Sequence, residues 1–293
     1  MCETCGGHGS SAVRDAARHA GGWRIVVVGK GGVGKSTVTA LLARIVARRG
    51  LTVTAVDADE QQNLAATLGL DLGTANSIIP IAEDADYIEE KTGARPGEGA
   101  GAMLRLNPDT SDLVDRHSVP APDGVRLVVM GGVRQAGGGC LCPETALISA
   151  AVAGMHLHHE DVVVMDTHAG VEHFGRSLAR GFDTAIVVVE PAFNAVQVGI
   201  EAARLAAELG IGSLHLVVNR ARSDDDLARV VGHVERLGGF PFASTNVLPF
   251  DGSALDCEPA VDRLLEGSML ADAVGRLSDD LLATARRPVG ARS

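Results

Sequence analysis

The chain has 293 residues, 46% hydrophobic and 22% charged, enough for one large α/β domain with its own core. Its 26 Lys and Arg face 37 Asp and Glu, a net charge of -11, which argues against a nucleic-acid partner because phosphate binding runs on clustered cations. No apolar run approaches the roughly 18 residues of a membrane span and no secretory h-region opens the chain, so a cytoplasmic protein without a membrane partner is expected.

In chain order, residues 1–22 are rich in Gly, Ala, Ser and His, show no strand pattern, and read as a flexible leader. The ordered domain is expected over residues 23–285. Residues 25–28 form a short β-branched run, as in a strand buried on both faces of a parallel sheet. Similar runs recur at 52–56, 125–130, 162–165, 184–189, 214–218 and 245–248. Helix-period stretches separate most of them. The clearest places Val38, Leu41, Leu42, Ile45 and Val46 on one face and stops at Gly50. Strands alternating with helices predict a three-layer, doubly wound, mostly parallel sheet of about seven strands. Residues 69–123, broken by Gly and Pro, read as an insertion with short helices, and residues 286–293 as a frayed tail.

After the first strand comes Gly29-Lys30-Gly31-Gly32-Val33-Gly34-Lys35-Ser36-Thr37, opening the periodic helix. Glycines let backbone N–H groups curl around a phosphate, and the helix N-terminus adds its positive end. Lys35 would reach the β- and γ-phosphates of ATP, and the Ser36 hydroxyl would ligate Mg²⁺. Gly31, Gly32, Val33, Gly34 and Thr37 complete the cradle. Lys30 is a second cation on this loop, repulsive toward Lys35 unless an anion such as a triphosphate lies between them.

A lysine directly after the first glycine resembles the deviant Walker A family of partition, division-site and nitrogenase-reductase-type P-loop ATPases. The resemblance implies a homodimer in which Lys30 crosses to the partner's nucleotide. It places Asp59, in Asp57-Ala58-Asp59, near Mg²⁺ and the attacking water, with Asp57 a structural partner of the phosphate loop; Glu60 stands where a proline is common. Asp166-Thr167-His168-Ala169-Gly170 resembles a Walker B and switch II segment, with Asp166 holding Mg²⁺ through water and the Gly170 N–H sensing the γ-phosphate. Asn219 and Pro249, in Leu248-Pro249-Phe250-Asp251, resemble the family's adenine contacts.

Five cysteines, an odd count, argue against a disulfide framework; Cys2/Cys5 and Cys140/Cys142 read as metal ligands or redox thiols. Cys140-Leu141-Cys142 follows three glycines. Two thiolates cannot close a tetrahedral site, whereas two chains supply four sulfurs for Zn²⁺ or Ni²⁺ at a dimer interface. The alternative is a reduced thiol pair in a loop.

With Asn63-Leu64, Leu106-Asn107-Pro108, Cys142-Pro143-Glu144 and Gly170-Val171-Glu172-His173-Phe174-Gly175-Arg176, these motifs resemble the nickel-insertion ATPases of carbon monoxide dehydrogenase maturation (CooC type) from about residue 24 to 265. The resemblance implies ATP hydrolysis linked to nickel loading of a client, carbon monoxide dehydrogenase, with Cys140 and Cys142 as metal ligands. His168 and Arg220 depart from its pattern. Met1-Cys2-Glu3-Thr4-Cys5-Gly6-Gly7-His8 is similar to the nickel-binding leader of hydrogenase nickel-insertion GTPases, with glycine at the third cysteine position. Thiolates, a terminal amine and an imidazole suit square-planar Ni²⁺; two incidental thiols on a tail are the alternative.

His156, His158 and His159 end a helix pattern, where they bind metal or simply suit the helix dipole. His173 belongs to switch II or to a core hydrogen bond. Cys257 reads as structural, and Asp224 to Asp226 as a helix N-terminus with a solvated face. Two other functions fit the loop: a partition or positioning ATPase, and an electron carrier with a [4Fe–4S] cluster between subunits. The acidic charge disfavours the first, and the adjacency of Cys140 and Cys142 the second.

Overall fold

The computed structural model describes residues 22–96, 105, 107–131, 147–148, 150–151, 161–169 and 181–285. Strand β1 (Trp23–Gly29) turns into helix α1 (Lys35–Arg48), followed by β2 (Thr52–Ala58). Helix α2 (Leu64–Leu68) comes next, and the expected insertion carries α3 (Leu72–Ser77), α4 (Ala85–Thr92) and α5 (Leu113–His117). Then come β3 (Val119–Pro120), β4 (Arg126–Val129), β5 (Asp161–Thr167), β6 (Thr184–Val189) and α6 (Phe193–Glu208). The chain continues through β7 (Ser213–Ala221), α7 (Asp224–Arg236), β8 (Ser244–Pro249), α8 (Ser253–Cys257) and α9 (Met269–Ala285).

The strands form one eight-stranded sheet in the order β3-β4-β2-β5-β1-β6-β7-β8. Every neighbouring pair is parallel except β3–β4. The strand beyond the expected seven is β3, a two-residue antiparallel edge piece too short to carry a periodic pattern. In β1, Ile25 and Val27 enter one core and Val26 and Val28 the other, so alternate side chains pack on opposite faces. Leu41, Leu42 and Val46 of α1 share the first core with Val274 and Leu277 of α9; Val196, Ile200 and Ala203 of α6 cover the second. The insertion is part of this packing, because Tyr87, Ile88 and Leu113 are buried in the second core. Asp71 and Asp84 start its helices by accepting the backbone N–H of Thr74 and Tyr87.

Several polar groups sit inside. The Arg44 guanidinium, 3% exposed, donates to Asp123 at 2.6 Å, Asp262 at 2.7 Å and the Leu68 carbonyl at 3.1 Å. It thereby ties α1 to both ends of the insertion and to the segment before α9. The Trp23 indole donates to the Thr184 hydroxyl at 3.0 Å. His215 is fully buried between the Ser213 and Ser244 hydroxyls, 2.8 Å from each, and burial pushes its pKa down to about 4.

Two smaller expectations fare differently. Cys257 packs against the first core as a free thiol. The first turn of α7 is not uniformly solvated: Asp224 and Asp225 are exposed, but Asp226 turns inward to accept from the Arg222 N–H and from Arg229. Among the described residues no helix is long and apolar enough to cross a membrane.

Candidate nucleotide site

The loop after β1 leaves the sheet where the connections diverge: β1 leads toward β2 on one side, and β5 leads to β6 on the other. Open α/β sheets bind ligands at such a switch point, beyond the carboxyl ends of the strands. Gly29 and Gly34 show why the loop is glycine-rich. A Cβ on Gly29 would lie 2.3 Å from the Val188 carbonyl oxygen, and one on Gly34, at φ 93°, would lie 2.4 Å from the Asn219 amide. Gly31 and Gly32 are exposed at the rim, and Val33 is buried beneath them as the loop's apolar foot. Helix α1 starts without a side-chain cap, leaving its first-turn N–H groups as an anion cradle.

Lys35 is 6% exposed, and its ammonium donates to the Lys30 carbonyl at 3.2 Å. Burial lowers its pKa, and the Asp166 and Asp59 carboxylates oppose the shift. The Lys30 side chain stays half-exposed. Ser36 and Thr37 occupy the first turn, half-buried.

Asp57 and Asp166 are direct register partners on β2 and β5, 0% and 1% exposed. Burial raises Asp166 to about 6, against the opposing Ser36 hydroxyl and Lys35 charge. Burial and the Asp166 charge raise Asp57 to about 8. Both Asp166 oxygens are buried without a hydrogen-bond partner, as is the Thr39 hydroxyl. A buried, unpaired carboxylate beside the hydroxyls of α1 suits a hydrated divalent cation, the way Mg²⁺ is commonly held. Asp59 lies half-exposed at the start of the following loop, its Oδ1 accepting the Gln61 N–H at 2.9 Å. The Asp57 side chain makes its hydrogen bonds within its own segment. It accepts from the N–H groups of Asp59 and Leu64, both at 3.0 Å.

On the far side of the loop, the Asn219 amide donates to the Val33 carbonyl at 2.7 Å, so it braces the cradle. Asn219 and Arg220, whose φ is 58°, fall in the irregularity that ends the β7–β8 ladder. A cavity of about 60 Å³ lies between Gly34, Thr37, Asn219, Pro249, Phe250 and Leu264. A second hollow of about 430 Å³ shares Arg220, Phe250 and Leu255 with it and is bordered by Glu190 and Arg222. Arg222 lies 4.2 Å over the Phe250 ring, and Arg220 lies 3.7 Å from Glu190. Sequence reasoning reached this wall at Asn219 and in Leu248-Pro249-Phe250-Asp251 but missed Glu190, Arg222, Leu255 and Leu264, because the residues come from separated segments. It also missed Thr39, which sits amid an apolar helix pattern.

Gly170, Glu172, His173, Cys2, Cys5, Cys140, Cys142 and His156, His158 and His159 lie outside the described residues. Among those described, no three His, Cys, Asp or Glu side chains cluster as a ligand set for a metal ion.

A doubly wound sheet whose first strand feeds a lysine-bearing glycine loop and a buried strand-end aspartate defines a P-loop nucleotide hydrolase, here an ATPase. Residues 25–256 match the family described as the CobQ/CobB/MinD/ParA nucleotide binding domain, and the chain belongs to that family. It is 34% identical over 237 residues to the carbon monoxide dehydrogenase accessory protein CooC of Rhodospirillum rubrum, covering 80% of this chain and 89% of that one. It is also 34% identical over 224 residues to an ATP-binding protein of Methanocaldococcus jannaschii, covering 75% and 85%. The cell division ATPase MinD of Pyrococcus furiosus shares the fold, with a TM-score of 0.60 at 21% identity over 89% of this chain and 99% of that one.

Proposed function

We propose that the chain is a dimeric ATP-hydrolysing metallochaperone that assists nickel insertion into a metalloenzyme such as carbon monoxide dehydrogenase. The observation that carries this is the 34% identity to CooC, an accessory protein of that enzyme, across 89% of its length. Cys140-Leu141-Cys142 gives the chain a thiolate pair, and two copies supply the four sulfurs of a closed site for Ni²⁺ or Zn²⁺.

In this reading the backbone of residues 31–37 cradles the phosphates. Lys35 neutralises the β- and γ-phosphates from within the chain, and Lys30 does so across the dimer. Ser36 and, through water, Asp166 hold Mg²⁺. When bound, the ion would supply positive charge that offsets the charge developing on the phosphate. Asp59 orients the attacking water, the Gly170 N–H contacts the γ-phosphate, and Asn219 and Pro249 border the adenine. Closure of two protomers on ATP assembles the Cys140 and Cys142 site, and hydrolysis releases its metal to the client; Cys2 and Cys5 form a second, leader-borne thiolate pair. The test is anaerobic Ni²⁺ and Zn²⁺ titration with and without ATP·Mg²⁺, alongside oligomer mass. One metal per dimer is expected, shifted in affinity by nucleotide and lost in Cys140→Ser/Cys142→Ser. A double variant that binds both metals as the wild type does would overturn the assignment.

A further inference from the structure

We infer that Asp57 is a positioning residue for hydrolysis, whose carboxyl group clamps the loop that presents Asp59; this rests on the role given to Asp59 above. The Asp57 Oδ1 accepts the Asp59 N–H and its Oδ2 the Leu64 N–H, both at 3.0 Å. One carboxyl group therefore closes the whole loop between the end of β2 and the start of α2. Within it the Gln62 N–H donates to the Asp59 carbonyl at 3.2 Å, and Gln62 adopts a φ of 52°. The loop has these local bonds, but its two ends meet at Asp57.

The clamp is itself fixed. Asp57 is fully buried, pairs in register with Val129 of β4 and Asp166 of β5, and accepts the Met130 N–H on its carbonyl at 2.8 Å. Met130 in turn accepts the Ala82 N–H at 3.0 Å. A carboxyl group anchored on two neighbouring strands gives the Asp59 end of the loop a rigid reference. Both of its side-chain oxygens are taken by loop N–H groups, so it acts through Asp59 and not on nucleotide directly.

Asp57→Asn tests this, because the amide keeps one acceptor oxygen and sets an NH₂ group against the other N–H. A misplacement of about 1 Å can cost on the order of 100-fold in rate, so kcat for ATP should fall about 10- to 100-fold while KM for ATP stays within about twofold. Because both residues act as one unit, Asp57→Asn should add nothing to the loss caused by Asp59→Asn. Amide exchange, which needs no turnover, should quicken at Asp59 and Leu64 while the β2 amides stay protected. Asp57→Ala should exceed Asp57→Asn in both readouts. If Asp59→Asn is inactive but Asp57→Asn keeps full kcat, or if their losses add, the clamp is wrong and the Asp59 assignment stands. If Asp59→Asn retains full kcat, that assignment falls and the clamp falls with it.

Discussion

Asp166→Asn is expected to stabilise the ligand-free protein while removing most of its ATPase activity. Asp166 is 1% exposed, and neither of its oxygens has a hydrogen-bond partner. Its pKa rises from 3.8 to about 6, chiefly through burial. A raised carboxyl binds more protons folded than unfolded, so its stability contribution is full below pH 3.8 and is lost as pH rises through about 6. That loss amounts to roughly 3 kcal/mol in the ionised form. The amide cannot ionise, so the gain should approach about 3 kcal/mol at pH 8 and vanish near pH 4. Urea unfolding in chelator at the two pH values reads it; an equal gain at both would mean that charge is not the cause. Turnover at saturating ATP·Mg²⁺ should fall on the order of 100- to 1000-fold, the scale of losing one charge-stabilising group.

Arg44→Ala should act in the opposite sense, purely on stability. The guanidinium holds Asp123, Asp262 and the Leu68 carbonyl together from a buried helix face. Removing it takes the donor from the Leu68 carbonyl and the cation from Asp262, while Asp123 keeps Arg48 at 3.0 Å. Breaking a fully buried pair costs about 3–5 kcal/mol, and the partial exposure of Asp123 and Asp262 puts the expectation near the lower end. Arg44→Met should recover part of the loss by restoring packing along the side-chain stem. Denaturant midpoints of the three proteins, at constant m-value, decide between a charge effect and a packing effect.

These features differ in how far sequence reaches them. The phosphate loop was readable because strand, glycines, lysine and helix are contiguous, and the chemistry of each is local. The apolar runs marked every strand but β3, since two residues carry no period. The Asp57–Asp166 pair was not readable: 109 positions part the two residues in the numbering, and they meet only because β2 and β5 are neighbours in the sheet. Arg44 was hidden for a related reason. It interrupts an apolar helix pattern where a solvated arginine reads equally well, and its three partners come from three separate segments. His215 likewise carries no mark of its burial, because its Ser244 partner depends on the register of β7 with β8.

The indole of Trp23 makes the chain its own optical gauge. It is the only tryptophan, seated 4% exposed at the start of β1, whereas the glycine loop leaves that strand's other end, roughly 20 Å away at about 3.3 Å per residue. Its emission should therefore report collapse of the sheet's central strand and remain almost silent when ATP is added. Loading of the phosphate cradle must be followed with a fluorescent nucleotide, and the two colours together would separate loss of fold from loss of ligand in every variant above.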